Sequence, residues 1–327
     1  MSLIYFIGKE TPSQGAVPKR VIPKRKQHST GEETPSPGTT PKQVVPRNTD
    51  SPKRNLTAAD IHVGEWEKQM VIGEGKLMWP RGIAIHESNG DIAIADYMAK
   101  CVCVYNTQGK YRFNLDTMTQ KLYQPWGVVY TSDKYYVTDQ SAYVRYYNAD
   151  DGKYCGSWLS VEPGHNVDND KAELYGICVD TDCNLLVGDY YGNYISKHTG
   201  DGKHINSFNV DIEPVYMAVT SHNNVIISDW SVVQIINQDG LVHRVQYPGM
   251  SKPRVCFHSG VLFICDLYSA NIFCFTQDAT HLTTIPIDAK QQRDEFGGCY
   301  GMAKSNSKLI VIRGEGSGRV EVYTRKK

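Results

Sequence analysis

PRGIAI (Pro80–Ile85), PWGVVY (Pro125–Tyr130), LYGICV (Leu174–Val179), PVYMAV (Pro214–Val219), PRVCFH (Pro253–His258) and CYGMAK (Cys299–Lys304) are six versions of one short apolar stretch. Their starts lie 45, 49, 40, 39 and 46 residues apart, the period of a four-stranded propeller blade. A second mark follows each start by 13–16 residues: an Asp closing an apolar run, at Asp96, Asp139, Asp189, Asp229 and Asp266. The sixth copy carries Arg313 in that place. Two marks recurring in step over six units predict one repeated supersecondary unit.

Each repeat divides into strands. The opening stretch is nearly all apolar, as an inner strand lining the ring requires. A polar turn follows, such as Glu87-Ser88-Asn89-Gly90 or Ser221-His222-Asn223-Asn224. The second strand ends in the Asp (DIAIAD, YYVTD, LLVGD, VIISD, LFICD), and the third reads CVCVYN, VRYYN, YISKH, VVQIIN, IFCFT and VEVYT. Asp151-Gly152, Asp201-Gly202 and Asp239-Gly240 are hairpin signals leading to a more polar outer strand. The sixth copy stops after its third strand. Upstream of the first repeat, WEKQMVIG (Trp66–Gly73) is a strand with no inner partner of its own. Setting it beside Val320–Tyr323 closes the ring and removes two exposed sheet edges. The expected fold is therefore all-β: a six-bladed β-propeller over residues 61–327, closed by exchange of an N-terminal strand.

Residues 1–60 read differently. They hold ten Lys/Arg against five Asp/Glu, and residues 8–60 contain eight of the fifteen prolines. Such a Pro/Ser/Thr-rich segment buries too little apolar area to offset its ordering entropy, so a disordered basic tail is expected. The cluster VPKRVIPKRK (Val17–Lys26) reads as a solvated linker. Residues 61–327 keep 25 basic and 30 acidic residues, a balance that does not favour non-specific nucleic-acid binding by the body. Six of the nine cysteines, Cys101, Cys103, Cys178, Cys256, Cys265 and Cys274, lie in apolar runs without zinc-type spacing. Buried free thiols in a reducing compartment are expected. MSLIYFIGKE is too short for a signal peptide and no run approaches a membrane span. The expectation is a cytoplasmic protein with no membrane contact, a monomeric propeller and no cofactor.

The P-x-G-[IV]-x-[VI] start, the strand ending in Asp and the later [VI]-x-V-[YF] strand resemble NHL repeats. The likeness covers about 260 residues, and repeats four and five depart from it with Tyr216 and Val255 at the Gly position. The order, a tail followed by six repeats, is similar to the C-terminal end of tripartite-motif proteins of the NHL class. That resemblance implies protein recognition for a ubiquitin-ligase assembly, or RNA recognition in post-transcriptional control. Zinc-ligand spacing and heptads are absent here, so ligase chemistry itself would belong to relatives or to a longer parent chain.

In a propeller, the loops entering the first strand and those joining the second to the third lie on one face. The entry loops supply Trp79, Arg81, Trp126, Tyr175, Tyr216, Arg254 and Tyr300. The second set supplies Tyr97, Lys100, Tyr143, Tyr190, Tyr191, Trp230 and Tyr268, with Arg313 in the last blade. Aromatic rings interleaved with cations suit a peptide held by anchors and Arg. They equally suit single-stranded RNA, whose bases stack while Arg and Lys meet phosphate. These residues also have a purely structural alternative, packing between blades. The repeated Asp is read as scaffold, accepting backbone N–H groups of the turn each blade needs. Arg313 either carries function or pairs with a neighbouring acid. His86, His222 and His258 fall on the opposite face, on different blades, and are not expected to meet on a metal. An enzyme is the further alternative, since six-bladed propellers include metal-dependent lactonases and amidating lyases. Arg, Trp, Tyr and Val at the channel are poor ligands for such a metal.

Overall fold

A computed structural model describes residues 66–115, 121–160, 172–267, 271–287, 298–305, 307–314 and 318–325. These form six four-stranded antiparallel sheets. Blade 1 runs outward in chain order through Pro80–Ile85, Ile92–Asp96, Cys101–Tyr105 and Tyr111–Asn114. Blades 2 to 5 repeat this, with inner strands Gly127–Thr131, Leu174–Val179, Tyr216–Val219 and Arg254–His258. The second strands are the most deeply buried: Ile92–Asp96, Leu185–Asp189 and Val261–Cys265 are buried at every residue. They carry apolar residues on both faces because each blade is sandwiched between two others. The tail assigned to residues 1–60, and the domain start at 61, lie outside the described residues.

Blade 6 closes the ring as the strand count predicts. Its first three strands are Cys299–Lys304, Lys308–Arg313 and Gly318–Arg325, and its outer strand is Trp66–Leu77. Trp66 pairs with Arg325 and Ile72 with Val320, antiparallel. Ile72, Leu77, Val320 and Val322 then share one buried cluster with Ile92 and Tyr105 of blade 1. The two ends of the domain are thus held in a single core.

The motif glycine has a packing reason. A Cβ on Gly176 would lie 2.7 Å from the Pro214 carbonyl oxygen of the next blade. Gly82 is in the same way against the Trp126 carbonyl, and Gly301 against that of Arg81. Inner strands therefore approach backbone to backbone, which a side chain would prevent.

The repeated Asp is structural. The Asp96 carboxylate accepts from the backbone N–H of Met78 (2.7 Å), Trp79 (3.0 Å) and Ala99 (3.1 Å), fixing both the entry loop and the turn. Asp189 takes Tyr191 and Gly192, and Asp229 takes Ser231 and Val232. Asp139 instead binds the Tyr123 N–H and the buried Arg145 guanidinium. Asp96→Ala should lower unfolding stability by about 1–3 kcal/mol, since it strands three partly buried backbone donors. Urea unfolding measures this; an unchanged midpoint would remove the Asp from the scaffold.

One expectation about cysteine needs correction. Cys265 is not a free thiol: it is disulfide-bonded to Cys299, with Cα atoms 6.0 Å apart. The bond joins the end of the second strand of blade 5 to the start of the inner strand of blade 6. The pairing is invisible in sequence because the two residues are 34 positions apart and meet only through blade packing. Seven other cysteines are free. No helix among the described residues is long and apolar enough to cross a membrane.

Candidate functional site

The expected face exists, but it has two rings with different roles. The inner ring comes from the residue before the motif glycine, and in blade 4 from Tyr216 at the glycine position itself. In blades 1, 3 and 6 the ladder between inner and second strands shifts register at this point, between Pro80 and Ile83, Leu174 and Ile177, and Cys299 and Gly301. Such a bulge re-aims a side chain, here those of Arg81, Tyr175 and Tyr300. Blades 4 and 5 lack the glycine, and their ladders start at Tyr216 and Arg254 without a shift.

The inner residues pack on one another rather than facing solvent. Trp126 lies 4.5 Å from Tyr175, 5.8 Å from Tyr216 and 6.4 Å from Trp230, ring to ring. Its Nε1 donates to the Val215 carbonyl at 3.2 Å, reaching from blade 2 to blade 4. The Arg81 guanidinium stands 5.2 Å from the Trp126 ring and 5.1 Å from Tyr300. That of Arg254 stands 4.2 Å from Tyr216. Arg81 is 9% exposed and Arg254 2%, so both are unavailable to a partner docking on the rim. Burial lowers the proton affinity of Arg254 against the opposing pull of Tyr216, and the Arg81 charge adds to the lowering.

The outer ring remains accessible. Trp79 stacks on Tyr97 (6.1 Å), Tyr97 meets Trp126 edge-on (5.9 Å), Tyr175 stacks on Tyr190 (4.6 Å) and Tyr190 meets Tyr191 (5.0 Å). The Trp230 Nε1 donates to the Tyr190 hydroxyl at 3.3 Å. A continuous aromatic surface thereby spans blades 1 to 4, half-buried at Trp79, Tyr97, Tyr190 and Trp230 and 65% exposed at Tyr191. Burial raises the hydroxyl pKa of Tyr97 and Tyr190. Lys100 is exposed on the same rim.

Three predicted positions do not join this surface. Tyr143 is exposed, but no ring contact among the described residues links it to the array. Arg313 is buried, its Nε bonded to Glu321 at 3.1 Å, so the pairing alternative is the one observed. Tyr268 lies outside the described residues. Two further residues belong to the rim. Tyr123, 57% exposed, sits 5.4 Å from the Lys100 ammonium, and Lys252 sits 6.0 Å from the Trp230 ring. Both lie in entry loops just ahead of a repeat start, so extending the loop reading two residues upstream finds Tyr123. Glu173 lies among the rings and accepts from the Tyr175 hydroxyl at 3.3 Å. Burial raises its pKa despite that bond.

Beneath the inner ring runs a central channel of about 830 Å³. Arg81, Trp126, Tyr175, Tyr216 and Arg254 line one end of it; Glu87, Gly90, Ser305, Ser307 and Lys308 line the other. His86 and His258 belong to that second end, where His86 stacks on Tyr130 at 4.1 Å, and His222 is not in the lining. No group of three metal-ligating side chains occurs among the described residues.

No family model matches the chain, and no curated protein matches it. Solved structures do. A virginiamycin B lyase from Staphylococcus aureus aligns with a TM-score of 0.56 at 13% identity, covering 80% of this chain and all of that one. A streptogramin B lyase gives 0.54 at 14%, covering 80% and 87%. A gluconolactonase candidate from structural genomics gives 0.60 at 11%, covering 80% and 92%. At such identities the likeness is one of fold, and the chain is a six-bladed β-propeller similar in architecture to these enzymes.

Proposed function

We propose that the protein is a non-enzymatic recognition module that captures a protein partner, as an extended peptide segment, on the outer aromatic rim. The observation that carries this reading is the continuous Trp79–Tyr97–Trp126–Tyr175–Tyr190–Tyr191 array on one rigid face, accessible at Trp79, Tyr97, Tyr190 and Tyr191 and backed by the buried Trp126 and Tyr175. Rigid aromatic anchors lose little conformational entropy on binding and dominate peptide and protein interfaces. Glu173 among the rings and Glu213 beside Tyr190 oppose a polyphosphate backbone there. With repeats of NHL type, the corresponding role is substrate recognition within a tripartite-motif-type ubiquitin-ligase assembly.

Single-stranded RNA is the second reading, favoured by the Lys100 and Lys252 ammoniums poised over Tyr123 and Trp230. Catalysis on the neighbours' pattern has less support. Fold alone does not carry activity, and between its ends the channel wall presents Ile, Val, Ala and Met side chains.

The test is peptide display against the full chain, counter-screened with a Tyr123→Ala/Tyr191→Ala variant. The expected result is a shared peptide motif whose affinity falls about tenfold or more in the variant, equivalent to about 1.4 kcal/mol. RNA crosslinking is run alongside with Lys100→Glu/Lys252→Glu. A recurrent RNA motif lost in that variant, with no peptide enrichment, would move the assignment to RNA. Arg81 and Arg254 are unsuitable probes of the rim because they are buried.

A further inference from the structure

We propose that the central channel is itself a binding site for a small amphiphilic carboxylate. Its acid group would sit against Arg254 and the Tyr216 hydroxyl at the aromatic end, with its apolar body along the channel wall. This site is separate from the rim, because its open end lies on the opposite face.

The aromatic end holds a buried cation that no carboxylate among the described residues pairs directly. One amino group of Arg254 donates to the Lys252 carbonyl at 2.7 Å and the Pro253 carbonyl at 3.5 Å. Its Nε is buried and has no hydrogen-bond partner, and the same is true of the Tyr216 hydroxyl. No carboxylate among the described residues hydrogen-bonds Arg254. The Asp266 carboxylate acts on Arg254 only through space, and it accepts from the Ser251 N–H and the Tyr247 hydroxyl. A buried guanidinium with no hydrogen-bonded carboxylate among the described residues is costly, and native structures rarely leave one unanswered. Arg81 places a second positive charge at the same end of the channel. The guanidinium Nε–H of Arg254 and the Tyr216 hydroxyl together match the two oxygens of a carboxylate.

The path to that end is apolar. Ile83, Ala84, Val129, Val179, Val219 and Phe257 are among the lining residues. A volume of about 830 Å³ falls in the usual range for small-molecule sites, roughly 300–1,000 Å³. An inorganic anion would cross this wall without gain, whereas an alkyl chain gains about 25 cal/mol for each Å² it buries. At the open end Lys308 and Glu87 balance one another, while the Lys304 ammonium packs against Trp66. Cationic at its aromatic end and apolar beyond it, the channel complements an acid with a hydrocarbon body.

The test is isothermal titration calorimetry on the full chain with decanoate below its micellar concentration, and with decyltrimethylammonium and inorganic phosphate as controls. Saturable one-to-one decanoate binding is expected, about tenfold or more tighter than the cationic analogue. Arg254→Met should weaken decanoate about tenfold or more while leaving the melting temperature at or above that of the parent. Val179→Trp, which narrows the channel away from the arginines, should abolish binding with Arg254 intact. Decanoate binding no tighter than decyltrimethylammonium, or undiminished in Arg254→Met, overturns the site. Phosphate binding as tightly as decanoate overturns the amphiphile. Should Arg254→Met not fold, unaltered decanoate binding by Val179→Trp overturns it instead.

Discussion

Removing residues 66–73 abolishes cooperative folding of the whole propeller rather than trimming one blade. The strand supplies Ile72, 1% exposed, to the core shared by blades 6 and 1. Its loss also leaves Gly318–Arg325 as an unpaired edge. Ile72→Ala alone should cost about 2–5 kcal/mol through the cavity it leaves. Losing the strand adds its ladder bonds and the blade contact, and so reaches the whole stability of an ordinary domain, roughly 5–15 kcal/mol. Thermal unfolding by circular dichroism reads both variants. Ile72→Ala should melt about 6–12 °C lower, taking about 3 kcal/mol at 2–4 °C each, and the deletion should show no cooperative transition. A peptide of residues 66–77 added in trans should restore the transition by strand addition. A deletion that melts like the parent would refute closure through this strand.

Glu321→Gln should destabilise the protein by about 3–5 kcal/mol, because it leaves the buried Arg313 and the half-buried Arg319 and Lys68 facing a neutral amide. The Glu321 side chain is 1% exposed and meets Arg313 at 3.1 Å, Arg319 at 3.1 Å and Lys68 at 3.3 Å. It also accepts from the Tyr323 hydroxyl at 2.6 Å. Lys68 belongs to the closing strand, so the carboxylate ties that strand to the blade it completes. Burial by itself would raise the pKa of Glu321; the Tyr323 hydroxyl, Arg313, Arg319 and Lys68 outweigh it and hold the group below the ordinary carboxylate range. A depressed folded-state pKa means the stabilisation is complete above the unfolded value, about 4.3. It is lost as pH falls through the lower folded value. Melting temperatures of parent and Glu321→Gln, measured from pH 7 down to pH 3, should therefore converge on acidification. Parallel curves would count against the clasp. High salt should narrow the gap little, since the pair is buried.

What sequence determined here is local or nearest-neighbour in origin. The inner strand, the turn after it and the Asp that ends the second strand recur because every blade meets the same demands. Asp96, Asp189 and Asp229 satisfy the same turn donors in three blades. The closing strand was legible for a related reason: a last repeat missing one strand and a first repeat preceded by a spare one admit a single economical pairing. The rim was legible in part, because loop order places Trp79, Tyr97, Tyr190, Tyr191 and Trp230 on one face whatever their rotamers.

The tertiary structure alone decided which of those residues meet solvent. Arg81 and Arg254 look in sequence like rim cations beside Lys100. Their burial follows from six inner strands converging on one axis, where there is room for a packed ring but not for free side chains. The bulges that aim Arg81, Tyr175 and Tyr300 arise in the pairing of two strands, not in either strand alone. Arg313 finds Glu321 across a hairpin, and Cys265 finds Cys299 across a blade boundary. The channel, with its buried cation and apolar wall, belongs to no single repeat. It exists only where all six meet, and a repeat period carries no information about the space its copies enclose.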